Sequence, residues 1–137
     1  MSLGSSPFVA DRELILALEA RSHAISCAED RVLFRQGDPP CGLYILRKGE
    51  ATLTLESAAG EMVMRMQTAA GSLLGLSGLV GGEPCTLSAI ARQGAELGFV
   101  KRDDFAGMLR TEPLLSFKVL QVLAAEVRSA RQAMFNL

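Results

Sequence analysis

The chain has 137 residues, 49% of them apolar, which suits one domain with one continuous core and leaves no room for a second. Its formal charge is −1 with both signs spread along its length, so it carries neither the basic footprint of a non-specific nucleic-acid binder nor an acidic tail. No apolar run approaches the ~18 residues that span a bilayer and the N-terminus lacks a signal-peptide layout, so a cytoplasmic location with no membrane partner is expected.

Met1, Ser2 and Leu3 read as a cloning remnant and are set aside. Asp11 is placed to cap a first short helix, because Leu14, Ile15, Leu16 and Leu18 crowd one side of the segment up to Ala20. From Ser22 the period changes, and short strands are expected at 22–27, 32–35, 43–47, 51–56, 62–67, 86–91 and 96–101. Turn chemistry separates them, notably at Gly37-Asp38-Pro39-Pro40, Lys48-Gly49, Ala58-Ala59-Gly60 and Gly81-Gly82-Glu83-Pro84. Alternation sets Leu53 and Leu55 against Thr52, Thr54 and Glu56, and Met62, Met64 and Met66 against Arg65 and Gln67. The methionine stripe reads as adaptable packing, with a metal or haem contact as the alternative.

Past Arg102 the helical period returns. Asp103 or Asp104 is placed to cap a short helix through Leu109, and Pro113 opens a long one that runs to the C-terminus. In the long helix Leu120, Val127 and Met134 recur every seven residues, and Leu123, Ala130 and Leu137 do so three positions later. That a/d seam predicts a homodimer, while Leu115, Val119 and Val122 on another side would pack on the strands. A monomer's core helix is the alternative. The expected fold is mainly β with flanking helices: an antiparallel β jelly-roll barrel (double-stranded β-helix) with an N-terminal helix and a long C-terminal dimer helix. Its segments are 1–21, 22–102 and 103–137.

Little in the composition supports catalysis. The only histidine, His23, has no acid beside it in sequence, so neither a catalytic nor a metal site is expected and the chain does not read as an enzyme. Cys27, Cys41 and Cys85 are odd in number and lack CxxC spacing, which predicts buried free thiols rather than disulfides or zinc ligands. Four thiolates for an iron–sulfur cluster are not present, and an axial haem ligand would have to come from His23 or a cysteine.

The stretch from Gly37 to Ala51 has a distinctive layout: Gly37-Asp38, then Tyr44-Ile45, then Gly49, with both glycines at sharp turns between two consecutive strands. It resembles the cyclic-nucleotide-binding domain family, and the likeness runs from about Ala24 to the end of the chain, closest to the catabolite-activator (Crp/Fnr-like) branch. The resemblance implies that Gly75 to Ala89 occupies the place of the family's phosphate-binding cassette, in which a glycine turn leads into a short helix whose N–H groups face a phosphate. In that family a glutamate after the first glycine holds the ribose, and an arginine after the proline pairs with the phosphate. Here those positions hold Leu76 and Cys85.

The implied pocket of Leu73, Leu74, Gly75, Leu76, Ser77, Cys85 and Thr86 is therefore expected to take an unknown small apolar effector, with no cofactor, rather than a cyclic nucleotide. Arg92 or Arg65 would have to reach in from a neighbouring strand to rescue nucleotide binding; Thr86 and Ser88 offer hydroxyls, while Glu83 lies beyond the short helix. Gly75 and Gly78 also suit a purely structural corner. The functional expectation is a regulatory effector-sensing domain, with a cyclic AMP receptor domain and a ligand-free dimerisation module as alternatives. The family's transcription factors continue into a helix-turn-helix after the dimer helix, so direct DNA binding is not expected of the segment ending at Leu137, and a further DNA-reading module is left open.

Overall fold

The structure, a computed structural model, describes residues 10–135. In chain order the elements are α1 (Arg12–Glu19), β1 (His23–Ser26), β2 (Arg31–Phe34), β3 (Gly42–Lys48), β4 (Ala51–Glu56), β5 (Met62–Thr68), β6 (Leu73–Leu74), α2 (Leu76–Gly81), β7 (Ser88–Ala91), β8 (Glu96–Lys101), α3 (Arg102–Thr111) and α4 (Pro113–Phe135). All strand pairs are antiparallel. They form two four-stranded sheets, β1-β8-β3-β6 and β2-β7-β4-β5, so the expected closed barrel is instead an open two-sheet roll. The reason is visible in the pairing: each sheet keeps its own two edges, and the chain crosses between sheets through turns rather than through shared hydrogen bonds.

Local chemistry explains most boundaries. The Asp11 carboxylate accepts the Leu14 N–H at 2.9 Å, so α1 starts where the sequence placed it and buries Leu14 and Leu18. Gly37 and Gly49 have φ of 91° and 86°, which supply the left-handed corners that flank β3. Several boundaries shift by one or two residues, and three differences from expectation have a local cause. Thr86 precedes β7 rather than opening it, because the chain from Pro84 to Leu87 is still completing the turn out of α2. The cap of α3 is Lys101, not Asp103 or Asp104; β8 runs directly into the helix, and the two aspartates sit in its first turn, where their negative charge interacts favourably with the positive end of the helix dipole. β6 is a two-residue strand, too short to show any period, and had no counterpart among the expected elements.

The sheet β1-β8-β3-β6 separates two cores. On its outer side Leu43, Ile45, Leu73 and Val100 pack against Leu14, Leu18, Leu76, Phe105, Met108, Leu115, Val119 and Val122 from the helices. Between the sheets lie Leu46, Leu53, Leu74 and Leu97 with Cys27, Ala51, Ala89, Ala91 and Ala95. Lys118 of α4 donates to Asp11 and so joins the long helix to the cap of α1. Among the described residues, no helix is long and apolar enough to cross a membrane.

Candidate functional site

The cassette is built from the end of β6, α2 and the turn into β7. Gly75 has φ +90°, and an added Cβ would lie 3.3 Å from the Phe34 ring and 3.4 Å from the Gly42 carbonyl, so both backbone angle and space call for glycine. Gly78 lets α2 close onto the returning chain, since a Cβ there would stand 3.1 Å from the Glu83 carbonyl. The Cys85 backbone is clamped to the turn after β2: its N–H donates to the Asp38 carbonyl at 2.8 Å, and its carbonyl accepts from Gly37 at 2.7 Å. Burial first, then the Asp38 carboxylate and Cys41, push the Cys85 thiol up from its ordinary range, so it is held neutral. Ser88 is already engaged, its Oγ accepting from the Gln36 N–H at 2.8 Å.

The seven expected pocket residues do not share one cavity wall. Leu74 faces the interior between the sheets, whereas Leu73 and Leu76 are buried on the opposite side, in the helix-side core. Alternation along β6 forces that split for the first two, and the Gly75 corner turns Leu76 outward again. Ser77 and Thr86 are exposed, and Cys85 is buried. The rescue candidates are also placed. Arg92 pairs with Asp30 at 2.9 Å, and Arg65 is exposed on β5 opposite Thr54, on the face turned away from the interior residues Leu53 and Met66. Of the thiols, Cys27 and Cys85 are buried but Cys41 is exposed, a departure from the expectation of three buried ones, because Cys41 stands in the turn before β3.

Along the expected dimer seam, Leu120 and Val127 are 59% and 57% exposed, while Leu123 leans against the helix-side core. The side chains of Ala130 and Met134, and Leu137 altogether, lie outside the described residues. Phe117 and Leu114, at 63% and 82% exposure, extend apolar surface toward the start of α4.

Two features escaped the reading of the sequence. The interior holds a row of aromatic rings, with Phe34 stacked 6.3 Å from Tyr44 and Tyr44 tilted 4.9 Å from Phe99. Glu126 follows Leu115, Val119 and Val122 at helical spacing on the inward side of α4, and burial pushes its carboxyl up to about 7. The spacing of four from Val122 and seven from Val119 was the available signal for Glu126. Among the described residues, no group of three histidine, cysteine or carboxylate side chains is arranged to hold a metal.

Comparison with known proteins agrees with this architecture. The profile of the cyclic nucleotide-binding domain matches residues 24–112. A catabolite activator protein from Thermus thermophilus is similar at 26% identity and a TM-score of 0.77, over 94% of this chain and 62% of that one, so the chain spans less than two thirds of its length. The N-terminal domain of a transcriptional regulator from Streptomyces coelicolor A3(2) is similar at 25% identity and a TM-score of 0.66, over 93% of each chain. The c-di-GMP responsive global regulator CLP of Xanthomonas campestris shares the fold at 20% identity and a TM-score of 0.65, over 91% of this chain and 60% of that one. No curated protein sequence matches. With the profile covering well over half its length and the roll, cassette frame and flanking helices all in place, the chain belongs to the cyclic nucleotide-binding domain family.

Proposed function

We propose that this chain is a non-catalytic, cytoplasmic regulatory domain of Crp/Fnr-like type that senses an effector other than a cyclic nucleotide. The observation that carries this reading is the cassette itself. Where a phosphate would need a guanidinium stands the buried thiol of Cys85, whose backbone is clamped to the turn after β2, and Leu76 faces the helix-side core, where it cannot reach a ribose. Loss of one partner of a buried charge pair costs about 2–5 kcal/mol, and here two anchors are replaced together. Neither Arg65 nor Arg92 substitutes for them.

The exposed apolar stripe of Leu114, Phe117, Leu120 and Val127 supports a homodimer through α4. Since α4 also packs on the helix-side core through Leu115, Val119 and Val122, a change in how that core meets the sheet would shift the dimer geometry, the two-state element a sensor needs. Calorimetric titration with cyclic AMP and cyclic GMP tests the reading. No binding below the high-micromolar range is expected, and sub-micromolar binding of either nucleotide overturns it.

A further inference from the structure

The second half of α4 carries an acid and a cation, Glu126 and Arg131, that join no ion pair among the described residues. Glu126 is half-buried, and burial alone acts on its carboxyl, with no neighbouring cation to offset it. Arg131 is exposed. Five residues apart on one helix, the two stand ~140° apart around its axis, so they do not meet within one chain.

Their places beside the apolar seam give them a use. With the exposed Leu120 and Val127 at the a positions and Leu123 at d, Glu126 falls at g and Arg131 at e of the next heptad. The two residues therefore flank the seam on opposite sides, Glu126 on the side of the buried Val119 and Val122, and Arg131 on the solvent side. A parallel pair of helices sets each g residue against the e residue five positions on in its partner, whereas an antiparallel pair sets g against g and e against e. For this helix the parallel arrangement brings acid to cation twice, once on each side of the two-fold axis. The antiparallel one brings like charges together.

We infer that Glu126 of each copy pairs with Arg131 of the partner subunit, and that these two bridges select a parallel, in-register homodimer. The inference rests on the homodimer proposed above and names what fixes its direction and register. A short apolar seam packs in either direction, so the charges along its margins decide between them. The bridge forms only between copies, so the separated chain in dilute solution keeps the carboxyl that burial has raised.

The test is sedimentation equilibrium of the whole chain at low salt, in the wild type, Arg131→Glu and the double variant Arg131→Glu, Glu126→Gln. The wild type is expected to dimerise. Arg131→Glu, a change at an exposed position, replaces two bridges by two acid–acid contacts and should weaken the dimer about tenfold or more. Adding Glu126→Gln removes both repulsions and should recover about threefold or more of that loss. A wild type that stays monomeric overturns the homodimer and the bridge together. A dimer that Arg131→Glu leaves equally tight, or a weakening that Glu126→Gln does not relieve, overturns the bridge and leaves the homodimer standing.

Discussion

The two cores on either side of the sheet β1-β8-β3-β6 are built to different specifications. The helix-side core is rich in leucine, valine and large side chains drawn from seven strand and helix elements, and its central members are fully covered. The core between the sheets holds four alanines and a cysteine among its leucines, and its margin of aromatic and aliphatic groups is half exposed. Close-packed large side chains supply most of the burial that holds a small domain together, and small residues supply less of it. The helix-side core therefore contributes the larger share of the burial that holds this fold together.

Substitutions can break that comparison. Leu76→Glu should be the most damaging, because it removes a fully buried side chain from the helix-side core and leaves an unpaired carboxylate there; a loss of about 5 kcal/mol or more would abolish a cooperative urea transition. Leu18→Ala should cost about 4 kcal/mol in the same assay, against about 1 kcal/mol for Met66→Ala at the half-buried margin of the interior. Comparable costs would show that the two cores carry equal weight.

Glu126 sharpens the contrast through pH. Its folded pKa of about 7 lies above the ordinary 4.5, so the folded state holds the proton more tightly than the unfolded chain. Stability should therefore fall as pH rises from about 4.5 to 7 and stay reduced above it. Glu126→Gln should remove this dependence, gaining up to about 3 kcal/mol over the wild type at pH 8 and progressively less toward pH 5. Parallel pH profiles for the two proteins in urea unfolding would show that Glu126 is solvated.

Much of this architecture was legible in short stretches of residues. The Asp11 cap, the Pro113 start of α4, and the bounds of β4 and β8 follow from local hydrogen bonding and from periods of two or 3.6, which need only neighbours to express themselves. The cassette frame was legible because Gly75 and Gly78 are needed by backbone geometry whatever the ligand. The membership of the pocket was not. Leu73, Leu74 and Leu76 look equivalent in sequence, but one faces the interior and two face the helices, a division set by strand pairing and one glycine corner. The face of β2 on which Arg31 stands was not legible either, because it depends on the register with Ala91, sixty residues away in the chain.

The order of residues by itself determined where most helices and strands begin, which faces are apolar, and that leucine and cysteine stand at positions 76 and 85. Only the tertiary structure decided that the strands form two open sheets, that Glu126 is half-buried on the inward side of α4, and that the Tyr44 hydroxyl reaches across to the Leu33 carbonyl. The physical reason is range: capping, turns and periodicity act over a few residues, whereas sheet order and burial are settled by contacts between segments that the chain brings together only when it folds.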